Sequence, residues 1–163
     1  MGGSLGFGDI EKVFLAFLES KRDIQLIVVT GKNQKLRYRL QSHISKYNKK
    51  VLLAGYTDEV FNLMDIADLI VTKPGGMTIS EALVKELPIF VMSPIPGQEE
   101  RNSFFLTSNG AAEKIYTEKD VQELINTLLN NPDKLKSMKE KSKKLSNPNS
   151  GYEIVNLMEA LIS

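Results

Sequence analysis

The chain has 163 residues, 42% hydrophobic and 25% charged, which is enough for one domain with a sizeable core and too little for two. A net charge of +1 and the absence of cysteine exclude a general electrostatic nucleic-acid surface, a disulfide scaffold and any thiolate metal site. No apolar run approaches the ~18 residues that a spanning helix requires, no signal-peptide pattern opens the chain, and a single histidine, His43, excludes a multi-histidine metal cluster.

The chain opens glycine-rich, with Gly2, Gly3, Gly6 and Gly8 around Ser4. From Asp9 a helix is predicted with Ile10, Val13, Phe14, Phe17 and Leu18 on one face. A glycine loop leading into a helix is either a flexible lead-in or an anion site. Such loops ordinarily follow a strand, and none precedes Gly2, so the expectation is a boundary that cuts through a larger protein.

Residues 23–30 read as the first complete buried strand, ending in Gly31-Lys32-Asn33. A helix is expected over 34–47 with Leu36, Leu40, Ile44 and Tyr47 inward, and His43 is expected to be solvated beside Lys46, Lys49 and Lys50. A strand over 50–54 ends at Gly55-Tyr56-Thr57-Asp58, and Val60, Phe61 and Met64 mark a short helix. Residues 68–71 are the next buried strand, running into Thr72-Lys73-Pro74-Gly75-Gly76-Met77-Thr78, after which Ile79, Ala82 and Leu83 keep helical spacing. Residues 88–92 form another strand, followed by Pro94-Ile95-Pro96-Gly97 and a helix carrying Gln98, Glu99, Asn102 and Phe105. Gly110-Ala111-Ala112 opens a short strand to Tyr116.

Strands and helices alternating at this spacing specify an α/β fold, a Rossmann-like doubly wound parallel sheet with helices on both faces. Ligands in such sheets lie beyond the carboxyl ends of the strands, where strand order reverses. Each special turn follows a strand, so all of them are expected on one rim.

The segment after the third strand has two readings. Unpaired amides and the dipole at a helix start attract an anion, Gly75 and Gly76 let a ligand approach the backbone, Thr78 adds a hydroxyl and Lys73 a cation. Alternatively, Gly-Gly is a tight turn and Thr78 with Glu81 is a capping box.

The last third is helical. Val121, Leu124, Ile125, Leu128 and Leu129 make one amphipathic face, and Asn131-Pro132 starts a helix with Leu135, Met138 and Leu145. Its lysines, from Lys134 to Lys144, read first as a solvated face and second as an attractor of anionic headgroups. Ser150 and Glu153 fit a capping box for a final helix bearing Ile154, Val155, Met158, Leu161 and Ile162.

Two segments at this separation, Thr72-Lys73-Pro74-Gly75-Gly76-Met77-Thr78-Ile79-Ser80-Glu81-Ala82 and Pro94-Ile95-Pro96-Gly97-Gln98-Glu99-Glu100-Arg101-Asn102, closing on Gly110-Ala111-Ala112, carry a resemblance. They resemble the donor-binding half of glycosyltransferase family 28, in the branch of bacterial diacylglycerol glucosyltransferases and monogalactosyldiacylglycerol synthases. Gly31-Lys32-Asn33, Gly55-Tyr56 and the opening glycine loop fit the same branch. The resemblance implies that residues 1–163 are a single UDP-sugar-binding domain, the C-terminal half of a two-domain GT-B hexosyltransferase. The acceptor lipid and the general base then belong to the N-terminal half, so no catalytic residue is expected here and the domain alone should bind UDP without turnover.

Position by position, the resemblance places uracil near Tyr56 and Thr57 and the diphosphate on Gly75, Gly76, Met77 and Thr78, with Ser4 closing over it and Lys73 nearby. It gives Glu81 the ribose, and Gln98, Glu99 and Asn102 the hexose or its phosphate. No cofactor and no metal are implied. The expected partners are a UDP-sugar, a diacylglycerol-type acceptor and a membrane surface met peripherally, with no nucleic acid; the expected location is the cytoplasm, at the inner face of the membrane. The alternatives are the UDP-N-acetylglucosamine-binding half of a peptidoglycan N-acetylglucosaminyltransferase and a non-catalytic nucleotide-binding or signalling module. In a sheet of order 3-2-1-4-5-6, the strand expected before Gly2 would be central.

Overall fold

The computed structural model describes residue 1 and residues 10–162, without the side chains of 127–129. Ser4 and the opening glycine loop lie outside the described residues. The elements run α1 (Ile10–Glu19), β1 (Gln25–Val29), α2 (Gln34–Ile44), β2 (Lys50–Ala54), α3 (Val60–Asp65), β3 (Ile70–Thr72) and α4 (Gly76–Val84). They continue β4 (Ile89–Met92), α5 (Gln98–Ser108), β5 (Ala112–Ile115), α6 (Glu118–Asn130), α7 (Pro132–Leu145) and α8 (Ser150–Ile162). The expected alternation is therefore present, with strands shorter than their apolar runs.

Every strand pairing is parallel, and β1 against β2 keeps Gln25 opposite Lys50 through Val29 opposite Ala54. The sheet departs from a continuous one: β1 pairs with β2, and β3, β4 and β5 pair in that order, with no described strand joining β1 to β3. The gap falls where the central strand of a six-stranded sheet would lie.

β4 shows why these sequences make buried strands. Its four residues are all buried, and alternate ones enter opposite layers. Ile89 and Val91 pack with Met64, Ile79, Leu83 and Leu106. Phe90 joins Ala16, Val121 and Ile125, while Met92 joins Phe14, Leu36 and Leu40. Helices thus cover both faces here. The two-stranded portion is less protected, since Ile27 and Leu52 are exposed.

Local capping fixes the turns. The Asn33 side chain accepts from the Leu36 N–H at 3.0 Å to start α2, and Asn131 with Pro132 does the same for α7. Gly110 ends α5 at φ +73°, where the Ala111 N–H reaches back to the Leu106 carbonyl at 3.0 Å. The buried Ser142 hydroxyl donates to the Leu87 carbonyl at 2.8 Å, anchoring α7 ahead of β4.

Two expectations need correction. His43 is paired rather than simply solvated: its Nε2 lies 3.5 Å from Glu11, which also meets Arg39 at 3.1 Å, because α1 packs beside α2. Ser150 is the first residue of α8 rather than its cap, and Glu153 instead accepts from the Asn147 amide at 2.8 Å. The lysine face of α7 is exposed as expected at Lys136, Lys139, Lys141, Lys143 and Lys144, with Lys134 paired to Glu113 at 2.6 Å and Lys143 to Glu86 at 2.9 Å.

Helix α8 buries none of its residues, leaving Ile154, Leu157 and Leu161 exposed. Among the described residues no helix is long and apolar enough to cross a membrane. Core and surface leucines therefore differ in energetic weight. Leu106→Ala, at a fully buried position, is expected to cost about 2–5 kcal/mol in urea unfolding. Leu157→Ala should stay within about 0.5 kcal/mol.

Candidate functional site

The site begins where β3 stops. Thr72 is buried and donates its hydroxyl to the Lys73 carbonyl at 3.1 Å, and the Gly75 N–H closes a tight turn on the same carbonyl at 2.9 Å. Gly75, extended at φ −68° and ψ 139°, is the N-cap of α4, and Ile79 makes the first intrahelical bond, to Gly75 at 3.0 Å. The amides of Gly76, Met77 and Thr78 consequently have no partner within the helix, and the helix dipole adds positive potential there. Among the described residues nothing blocks the approach. A Cβ on Gly75 would meet nothing within 4 Å, one on Gly76 would meet only the Gln98 Nε2 at 3.8 Å, and Met77 is 77% exposed.

Because α4 starts at Gly76, Thr78 sits inside the first turn and cannot act as the cap of a Thr78–Glu81 box. Glu81 lies one turn later on the face of Met77 and Thr78, and helical side chains lean toward the amino end, which directs its carboxylate to the rim. Among the described residues that carboxylate has no hydrogen bond or ion pair.

The amino end of α5 clasps this turn. The Asn102 Nδ2 donates to the Pro74 carbonyl at 2.9 Å. Glu99 accepts from the Ile95 N–H at 2.9 Å and faces the Lys73 ammonium at 3.7 Å, with only 9% of the lysine side chain exposed. Gly97, at φ +99°, takes a conformation that suits glycine, and its N–H donates to Glu100 at 3.3 Å. Lys73 is thus a buried counter-ion that ties α5 to the turn rather than a mobile cation. Among the described residues, one oxygen of Glu99 and the side-chain oxygen of Asn102 are left over.

Lys73, Gly75, Gly76, Met77, Thr78, Glu81, Gln98, Glu99 and Asn102 therefore form one assembly. Tyr56 and Thr57 stand on the same rim, past the end of β2 in the other sheet. Tyr56 is exposed, with the Lys32 ammonium 5.4 Å from its ring centre. Its hydrogen bond to Asp58, with the charge of that carboxylate, raises the phenol pKa above its ordinary value. The Thr57 hydroxyl accepts from the Glu59 N–H at 3.1 Å.

The rim also holds a cavity of about 430 Å³ that sequence patterns did not indicate, lined by Lys12, Met92, Ser93, Tyr116, Thr117 and Lys119 among others. It forms because the amino-terminal parts of α1 and α6 meet over the ends of β4 and β5, a long-range convergence with no local signature. The positive φ of Ser93, 44°, marks the sharp exit from β4. Among the described residues no cluster of three or more His, Asp or Glu side chains is placed to hold a metal.

Comparison with known proteins supplies the context. The glycosyltransferase family 28 C-terminal domain matches residues 1–154. The chain is similar to the processive diacylglycerol beta-glucosyltransferase of Bacillus licheniformis, 34% identical over 155 residues, covering 95% of this chain and 40% of that protein. In fold it resembles MurG of Acinetobacter baumannii, with a TM-score of 0.78 at 23% identity over 98% of this chain and 48% of that one. It also resembles S. aureus MnaA solved with UDP, with a TM-score of 0.75 at 19% identity over 94% of this chain and 42% of that one. The chain therefore belongs to glycosyltransferase family 28, as its C-terminal domain.

Proposed function

We propose that this domain holds the UDP part of a sugar donor for hexosyl transfer to a diacylglycerol-type lipid. The observation that carries the reading is the fan of amides at Gly76, Met77 and Thr78 that have no partner among the described residues, reached over two glycines and bordered by Gln98. In this reading the diphosphate rests on those amides. As the glycosidic bond breaks, negative charge accumulates on the leaving diphosphate, and donors already fixed by the fold stabilise that charge without reorganising. Donors supplied by the backbone also make a metal unnecessary for nucleotide binding.

Glu81 then accepts from the ribose hydroxyls, and uracil lies against the backbone at Tyr56 and Thr57. Gln98 and Asn102, four apart on one helix, face the hexose together. The clasp gives Glu99 and Asn102 a second duty, since they hold the turn from which the amides project. The name of the Bacillus licheniformis relative supports the lipid acceptor, and the UDP in the MnaA structure supports the nucleotide. The chain spans about two fifths of that relative's length, so the acceptor site and the general base are assigned to the rest of the enzyme.

Calorimetric titration tests the donor. UDP and UDP-hexoses should bind and ADP and NAD should not, with the same affinity in EDTA as in magnesium; preference for ADP or NAD would contradict the reading. A stronger response to UDP-N-acetylglucosamine than to UDP-glucose would instead favour an N-acetylglucosaminyltransferase. Gly76→Ala should weaken UDP by about tenfold or more, because the added methyl holds the diphosphate off the amides at the cost of roughly one charge-assisted hydrogen bond, with little change in melting temperature because the new Cβ meets only the Gln98 Nε2 at 3.8 Å. Glu81→Ala should also weaken UDP far more than it lowers the melting temperature, whereas unchanged affinity would remove Glu81 from the site. Asn102→Ala should differ from both by losing about 1 kcal/mol of stability together with affinity, because the Pro74 carbonyl loses its donor.

A further inference from the structure

We propose that the rim cavity beside Ser93 is a carbohydrate subsite, fitted to a neutral hexose ring and separate from the seat of the sugar donor. At about 430 Å³ the cavity falls in the range of small-ligand pockets, and its lining has two characters. Val13, Met92 and Ile115 supply an apolar floor, while Ser93, Thr117 and Glu118 bring hydroxyls and a carboxylate to it. A pyranose has the same two characters, since its C–H faces are apolar and its hydroxyls radiate from the edge. A hydroxyl both donates and accepts, so one sugar can use a carboxylate, an ammonium and a protein hydroxyl together.

Tyr116 supplies the wall, with its side chain 71% exposed. Its backbone is nevertheless fixed: the Asp120 carboxylate accepts from the Tyr116 and Thr117 N–H groups at 2.8 Å each, and the Thr117 hydroxyl accepts from the Asp120 N–H at 3.2 Å. An open aromatic ring on a pinned backbone is a prepared stacking surface, because Tyr offers a large apolar face and loses little conformational entropy on contact. The same contacts decide against an anion. Asp120 already occupies the start of α6, its pKa held below the ordinary carboxylate value by the hydrogen bonds from Tyr116 and Thr117. Glu118 adds a second acid to that first turn, so a phosphate entering here meets two negative charges where a bare helix start would attract it. Lys12 and Lys119 line the cavity as well, and Lys119 lies 3.7 Å from Glu123. Charges of both signs suit a neutral polar ligand.

Topology keeps this cavity apart from the α4 amides while leaving both on one rim. The α4–α5 assembly belongs to the layer in which Ile79, Leu83 and Leu106 pack on Ile89 and Val91. The cavity belongs to the opposite layer, where Ala16 of α1 and Val121 of α6 pack on Phe90 and Ile115. The connection from Ser93 to Gln98 joins the two, and chain of that length spans at most about 18 Å. A hexose-bearing ligand held in the cavity is therefore oriented along the rim beside Gln98 without competing for the turn after β3.

The test titrates the full chain with methyl β-glucoside, methyl β-galactoside and inorganic phosphate while its backbone amide resonances are followed, with and without excess UDP. At least one glycoside should shift Ser93 and Tyr116 to Lys119 saturably in the millimolar range, equally with UDP present, and phosphate should leave those amides unmoved. Tyr116→Ala should weaken the glycoside by about tenfold at unchanged melting temperature, because the ring is exposed, and Tyr116→Phe should keep most of the affinity. The absence of a saturable shift from either glycoside overturns the subsite. So do phosphate shifts at the same amides, which assign an anion site, and glycoside shifts that gather at Gln98 and Asn102 and vanish with a UDP-hexose, which assign the donor's own seat. A folded Tyr116→Ala chain that binds the glycoside as tightly as the original overturns it as well.

Discussion

Three amide groups without an intrahelical partner set the terms for the rest of this domain. A helix that starts after a three-residue turn from a buried strand cannot satisfy its first N–H groups from its own backbone, and Gly75 and Gly76 supply no side chain that could do so. The strand fixes where those groups stand: β3 is held by β4, and β4 is buried on both faces, so the position of the α4 amides is as firm as the core beneath them. Exposure at Met77 and burial at Thr72, five residues earlier, are two ends of one device that carries backbone polarity from the interior to the rim.

The clasp from α5 refines that device. A turn rich in proline and glycine has few contacts of its own, and here its carbonyl at Pro74 is held by Asn102 while Lys73 is neutralised by Glu99. A buried lysine without its carboxylate would be costly, so the pair fixes the amino end of α5 as much as it fixes the turn. That ties Gln98, the side chain nearest to Gly76, to the geometry of the amides. In the proposed function, diphosphate and hexose recognition are then one rigid unit, whereas Tyr56 and Thr57 stand in the other sheet.

Much of the fold was legible because periodicity is a local property. Runs such as Leu26-Ile27-Val28-Val29 and Ile89-Phe90-Val91-Met92 announce buried strands, and the asparagines and glycines between runs announce caps and turns. The gathering of the turns on one rim followed from parallel topology alone. What was not legible depends on distant partners. Nothing near His43 indicates Glu11, nothing near Asn102 indicates the Pro74 carbonyl, and the cavity beside Ser93 exists only because α1 and α6 meet there. The capping-box reading of Thr78 and Glu81 failed for a subtler reason: the helix begins one residue after Gly75, earlier than a Thr78 cap requires, so the same spacing brings Glu81 over the first turn. The opening glycine loop with Ser4 lies outside the described residues, and its role rests on the resemblance alone.

The split sheet shows how far local order survives an incomplete ladder. Each half keeps its parallel register, because each strand pair is covered on at least one face by helices that follow it in sequence. The turn that presents the α4 amides follows β3, the strand at the edge of the three-stranded sheet.

The most direct test of the central claim is to follow the backbone amide resonances during titration with UDP. The account predicts saturable shifts concentrated at Gly76, Met77 and Thr78, with the Glu81 and Gln98 neighbourhoods following. Shifts centred on Thr117 to Lys119 with those three amides unmoved would place the nucleotide in the neighbouring rim cavity and contradict it.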